Sequence, residues 1–159
     1  MATVYSVQQT LNRAAAANTG TSYNNGILDQ GGKLRVAYAN YVSTAVASGT
    51  VIELFTIPKN ARILRGKVVS GALGTSVTLS VGTDVSLKDD LAVETTAAGV
   101  ANCLAATAHA SAAATDFAVT RLLGAGAKTS AATTFNLVTG GATLTADIAV
   151  HAWVEYLQN

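Results

Sequence analysis

The feature that most constrains this chain is the spacing of its apolar residues. From Leu34 onward they come in short β-branched or aromatic runs broken by Gly, Pro, Asn and Ser. In Ser76-Val77-Thr78-Leu79-Ser80-Val81 small polar and apolar residues alternate. Successive side chains of a strand point to opposite faces, so Val77, Leu79 and Val81 are predicted to face a core and the hydroxyls to face away. The same texture predicts strands from Leu34 to Tyr41, Thr50 to Ile57, Ala61 to Ser70, Thr133 to Thr139 and Ala142 to Leu157, which is the pattern of an antiparallel all-β domain. Pro58-Lys59-Asn60 interrupts pairing, because proline lacks the N–H a ladder requires. Gly140-Gly141 predicts a hairpin between the last two strands.

The final strand carries bulk on both faces. Ile148, Val150, Val154 and Tyr156 alternate with His151, Trp153 and Leu157, which places it centrally in a sheet or at an interface. The stretch from Thr95 to Thr115 is crowded with Ala, Thr and Ser. It is predicted as a long loop with a short strand around Val100 to Ala105, in preference to a helix, because interleaved Thr and Ser and the missing bulky stripe oppose one. From Phe117 to Leu123 the pattern is again strand-like.

Residues 1–33 differ in texture, being rich in Gln, Asn, Thr, Ala and Gly with scattered apolar residues. They are predicted to form an N-terminal arm, and residues 34–159 the body. Val7 to Ala17 could make a short helix, but one so short is marginal without a packing partner. Fully extended, the arm reaches about 100 Å at about 3.3 Å per residue.

Composition narrows the functions open to such a body. A chain of 159 residues fits one domain, and at that size it buries roughly two-thirds of its unfolded surface. Charged residues make up 12% of it, against about a quarter in ordinary soluble domains. The surface is therefore expected to be covered by Thr, Ser, Asn, Gly and Ala. A net charge of +1 gives no field to steer nucleic acid or an acidic membrane. There is no strongly apolar stretch of about 18 residues, and Met1-Ala2-Thr3-Val4-Tyr5-Ser6 does not begin a secretory leader, so synthesis and use in the cytosol are expected. The single cysteine, Cys103, excludes an intramolecular disulfide and is expected to be a small buried or half-buried residue.

No residue pattern carries chemistry. His109 and His151 stand more than forty positions apart without ligand-spaced neighbours, so His109 is predicted as a polar loop residue, His151 as a strand residue, and no metal or cofactor is expected. Gly124-Ala125-Gly126-Ala127-Lys128-Thr129 lacks the glycines that a phosphate-binding loop needs before its lysine. Asp84, Asp89, Asp90 and Glu94 lack the alternating spacing of a calcium loop and are expected to be solvated. Lys59, Arg62, Arg65 and Lys67 form the densest positive group. In a regular strand Arg65 and Lys67 share one face and Arg62 takes the other, which suits edge-strand charges or salt bridges to a partner better than a nucleic-acid stripe. A chain with few charges, many small side chains and an uncommitted arm suits close subunit packing, since small side chains lose little entropy when immobilised.

One resemblance sharpens this expectation. Gly49-Thr50-Val51-Ile52-Glu53-Leu54-Phe55-Thr56-Ile57-Pro58-Lys59-Asn60-Ala61-Arg62-Ile63-Leu64, with Ala72-Leu73-Gly74 and Thr78-Leu79-Ser80-Val81-Gly82, resembles the capsid decoration, or cement, proteins of tailed bacteriophages. Arg35-Val36-Ala37-Tyr38-Ala39 and Thr139-Gly140-Gly141-Ala142 extend the likeness over most of residues 33–156. Asn60 stands where that turn usually holds glycine, and Asn tolerates a left-handed backbone. The resemblance implies an antiparallel, jelly-roll-like β-sandwich with an N-terminal arm, non-enzymatic, made in the host cytoplasm. It implies a homotrimer on the outside of the virion, bound to the major capsid protein. Val4, Tyr5, Val7 and Leu11 of the arm, with Lys59, Arg62 and Arg65, are the expected capsid contacts. A head-fibre, neck or tail adaptor is the alternative within the structural class, and a carbohydrate-binding module the alternative outside it.

Overall fold

The computed structural model describes residues 3–5, 34–88, 95–117 and 127–158. Its strands are β1 (Thr3–Tyr5), β2 (Leu34–Val42), β3 (Val51–Ile57), β4 (Ala61–Ser70), β5 (Thr78–Thr83) and β6 (Leu87–Lys88) in the first half. They continue with β7 (Thr95–Thr96), β8 (Gly99–Ala108), β9 (Ala113–Phe117), β10 (Ala127–Thr129), β11 (Thr133–Gly140) and β12 (Ala149–Gln158). Among the described residues there is no helix. The arm expected over residues 1–33 lies outside the described residues except for β1, whose backbone pairs in parallel with β3, Thr3 opposite Val51.

The strands form two sheets, one in the order β1-β3-β11-β5-β8 and one in the order β2-β12-β4-β10-β6-β7, with β9 also paired to β4. Apart from β1 every pairing is antiparallel. The central layers β2-β12-β4-β9 and β3-β11-β5-β8 face each other, and the chain passes from one to the other in the order of a jelly roll. That interleaving forces most neighbours within a sheet to be distant in sequence.

Alternation fills the space between the layers. Ile52, Leu54, Ile57, Leu79, Val81, Phe135 and Leu137 point inward from one sheet and meet Tyr41, Ile63, Val68, Val150, Val154 and Tyr156 from the other. Phe55 and Phe135 pack at a tilt of 33° with ring centroids 5.5 Å apart. Cys103 is buried as expected, and its burial pushes the thiol pKa up to about 12, which keeps it protonated and unreactive.

Several expectations change. Gly140-Gly141 closes no hairpin, since β11 and β12 belong to different sheets. Residues 141–148 instead cross the end of the sandwich, with Leu144 buried beneath and bonded through its N–H to the Val46 carbonyl at 3.1 Å. Gly141 has φ +76°, and a Cβ there would collide with the carbonyl oxygen of Ser76, so the glycine serves a close backbone crossing. The stretch from Thr95 to Thr115 is mainly strand, because β8 runs ten residues along the free edge of β5. Most of β8 is exposed, so small side chains suffice. Of the segment Phe117 to Leu123, Phe117 ends β9, and residues 118–126 lie outside the described residues.

The connections are held by hydroxyls where many proteins use charges. Ser43 Oγ donates to the Thr145 carbonyl and accepts from the Ile148 N–H at 3.0 Å. Thr139 Oγ1 accepts from the Thr50 N–H at 3.1 Å and donates to the Ala47 carbonyl at 3.0 Å. Thr129 Oγ1 accepts from the Ala61 N–H at 2.9 Å and donates to the Pro58 carbonyl at 2.7 Å. Ser43, Thr129 and Thr139 are all buried, so each bond satisfies groups that would otherwise be costly to enclose. Next to Thr129, Asn60 takes the left-handed conformation its turn requires, with φ 65°.

Candidate interaction surface

The outward side of β2 and its neighbours is where this sandwich departs from an ordinary polar surface. In β2, alternation turns Ala39 and Tyr41 into the core and leaves Leu34, Val36, Tyr38 and Val42 outside, each more than 40% exposed. The register across the sheet sets these residues in rows. Leu34 lies beside Leu157 and then Arg62, Val36 beside Glu155 and then Arg65, and Tyr38 beside Trp153, Lys67 and Asp116. The next row is Asn40, His151 and Val69. Tyr38 and His151 stack with ring centroids 6.0 Å apart, and the Tyr38 hydroxyl shares a 2.6 Å hydrogen bond with His151 Nδ1.

A β-bulge gathers the cations on this face. Glu155 pairs with Arg65 but Tyr156 pairs with Ile63, so Leu64 is the extra residue and strand parity changes there. Arg62 thereby joins Arg65 and Lys67 on the outward side, where unbroken alternation had placed it opposite. The edge-strand reading of these charges is also corrected, since β4 lies inside the sheet with β12 on one side and β9 and β10 on the other. Arg65 and Lys67 form ion pairs across this face. Arg65 Nε and Nη2 each donate to Glu155 at 2.9 Å, and Lys67 Nζ lies 3.1 Å from Asp116. The hydrogen bond to Glu155, reinforced by its charge, raises the Arg65 pKa above the ordinary guanidinium value. The face is thus apolar along β2 and internally neutralised beyond it.

The other expected contacts fall in two groups. Lys59 is exposed in the turn between β3 and β4. Val4 and Tyr5 lie in β1, while Val7 and Leu11 lie outside the described residues. The residues that sequence reasoning passed over are Val36, Tyr38 and Trp153 as surface residues. Their signal was present in the alternation, but a run with bulk on both faces reads equally well as a strand buried on both sides.

Two further features complete the picture. On the outer side of the opposite sheet a depression of about 320 Å³ is bordered by Val51, Val100, Asn136 and Val138. His109 lies in the loop from β8 to β9, as expected, but is completely buried there. Its Nδ1 lies 2.7 Å from Ser70 Oγ and its Nε2 3.3 Å from Thr115 Oγ1, and its backbone N–H donates to the Val77 carbonyl at 2.9 Å. Burial lowers the His109 pKa, favouring the neutral ring. Ser70 is enclosed with it, so the pair ties β4, β5 and β9 together beneath the surface. Among the described residues no three His, Cys, Asp or Glu side chains are placed to hold a metal ion.

No family model and no curated protein sequence matches the chain. Solved structures do match. A chain from the capsid of Ralstonia phage GP4 is 18% identical with a TM-score of 0.64, covering 99% of both chains. A chain from the capsid of cyanophage Pam1 is 18% identical with a TM-score of 0.59 over 80% of this chain and 86% of that one. A third, from the capsid of Helicobacter pylori bacteriophage KHP30, is 15% identical with a TM-score of 0.51 over 79% and 87%. At these identities the likeness is one of fold, and the chain therefore shares its β-sandwich with chains found in the capsids of three bacteriophages.

Proposed function

We propose that this chain is a virion structural protein that decorates and stabilises an icosahedral phage head by bridging major capsid subunits. The observation that carries this reading is the end-to-end correspondence with one capsid chain of Ralstonia phage GP4, 99% of each covering the other. The neutral, small-residue composition agrees with a life spent in subunit contacts. Bridging stabilises a shell by mass action, because a protein that binds only the assembled lattice shifts the equilibrium away from open forms. In this reading the protein acts as a homotrimer on the capsid exterior without catalysis, and residues 1–33 are an arm that clamps the shell, using Val4, Tyr5, Val7 and Leu11. Lys59, Arg62 and Arg65 are further contacts from the body.

The test is to mix purified protein with undecorated mature heads and image them by cryo-electron microscopy. Density repeated over the whole shell supports decoration. Density confined to one vertex or the neck makes the protein an adaptor, and no density at all sinks the proposal. Deleting residues 1–20 is expected to abolish head binding with unchanged far-UV circular dichroism, whereas retained binding removes the arm from the mechanism. A glycan-binding reading has one observation in its favour, the half-exposed Trp153 bordering a depression of about 280 Å³ with Arg65, Lys67, Asp116 and Glu155. Indole faces suit sugar C–H groups and paired charges suit hydroxyls, and a glycan array decides whether that site is used.

A further inference from the structure

β2 combines two features that an isolated protein rarely leaves bare. Among the described strands it is a nine-residue strand at the end of its sheet, where lysine, proline, a bulge or an inward-pointing charge normally blunts the edge. β2, whose sequence is Leu-Arg-Val-Ala-Tyr-Ala-Asn-Tyr-Val, has only Arg35 of these, on its inward side. Its outward positions also hold four of the six exposed large hydrophobic residues found among the described residues: Leu34 at 48%, Val36 at 43%, Tyr38 at 44% and Val42 at 46%. Their exposed parts sum to roughly 300 Å², against about 800 Å² buried by each partner in a standard interface. The stripe therefore has the size of an interface centre, and Trp153 and Leu157 widen it across β12.

The chemistry of the face selects its occupant. The stripe has no charge, and of the adjacent charges Arg65 pairs with Glu155 and Lys67 with Asp116, while Arg62 is also engaged within the chain. A strongly acidic or basic partner gains nothing there. A second copy of this chain fits on three counts. It brings the same apolar ridge and the same Trp153 shelf, its net charge of +1 offers no repulsion, and its own β2 needs the same cover. Tyr, Trp and Arg at the centre of such a patch are also the residues that dominate binding energy between proteins.

We propose that copies of this chain bind one another through this face, the β2 ridge of one resting on the β2–β12 shelf of the next. This deepens the homo-oligomer part of the function proposed above and rests on that part alone. The test uses the full chain without capsids: sedimentation equilibrium of the wild type, of Val36→Lys/Tyr38→Lys, and of Val100→Lys as a control on the other sheet. The wild type is expected to form one discrete oligomer, Val36→Lys/Tyr38→Lys to raise its dissociation constant by about 100-fold or more, and Val100→Lys to leave it unchanged. Circular dichroism and melting temperature establish that each variant is folded. A variant that unfolds is replaced by Val36→Thr/Tyr38→Thr, which keeps strand propensity and removes the apolar surface. A monomeric wild type, or a wild-type oligomer indifferent to both double variants, overturns the inference. Variants that remain oligomeric but no longer bind phage heads also overturn it, assigning the face to the shell and leaving the decoration reading intact. Loss of the oligomer by these variants, with no head binding even by the wild type, upholds the inference and discards the decoration reading instead.

Discussion

The two outer faces of the sandwich rest on one core yet differ in almost every outward residue. Across β2 and β12 the outward positions include Leu34, Val36, Tyr38, Val42, Trp153 and Leu157 beside Asn40, His151 and Glu155, whereas across β3, β11 and β5 they include Glu53, Thr56, Thr134, Asn136 and Ser80 beside Val51 and Val138. Thr56 and Thr134 bond to each other through their hydroxyls at 3.2 Å, a cross-strand pair satisfied within the monomer. Inward alternation determines the fold in both sheets, and the outward half of each strand is left free to specify what the molecule touches. One face spends that freedom on self-sufficient polar pairs, the other on apolar surface that the single chain leaves exposed.

The largest effect expected is one that ignores the distinction between faces. Phe135→Ala removes a fully buried ring shared by both layers and should cost about 3–5 kcal/mol, read by urea denaturation. Next comes the change that separates them. Trp153→Ala should weaken self-association by about 2 kcal/mol, while Thr134→Ala shifts neither association nor stability beyond about 0.5 kcal/mol. Equal effects would erase the contrast.

A smaller, pH-dependent effect comes from beneath the surface. His109 has a lowered pKa when folded, so the unfolded chain binds its proton more readily. The stability this group contributes is complete above its ordinary value of 6.5 and falls as pH drops below that value toward the folded pKa. In melts across pH 7.5 to 5, His109→Gln should flatten this part of the profile, and an unchanged slope would assign it to other groups. The smallest effect is expected for Arg65→Ala, a midpoint in urea indistinguishable from that of the wild type, because its ion pair with Glu155 is exposed to solvent on the arginine side.

Much of the fold was legible because burial alternates where the sequence alternates. Val77, Leu79 and Val81 are all completely enclosed, and β4 spans the residues predicted for it. What escaped was non-local. Nothing in Gly140-Gly141 distinguishes a hairpin from a crossing between sheets, since the decision is made by the burial of Leu144 and the proximity of Ser76. The Ala-rich β8 carries weak propensity and becomes a strand because β5 offers it a ladder. At the surface, a single extra residue, Leu64, reverses the side on which Arg62 emerges, and a bulge has no signature in this sequence. Of the expected contacts whose side chains are described, Lys59, Arg62 and Arg65, the bulge brings Arg62 and Arg65 into one patch, beside a last strand whose bulk on both faces suited either the centre of a sheet or an interface.

The hydroxyl clamps at Ser43, Thr129 and Thr139 have a consequence for the environments this protein can withstand. Dissolved ions weaken interactions between charges at a distance, but they have little hold on a buried bond between a neutral hydroxyl and a backbone group. With these connections pinned in that way, the sandwich should keep its shape from dilute buffer to brine, and its melting temperature should vary little with ionic strength.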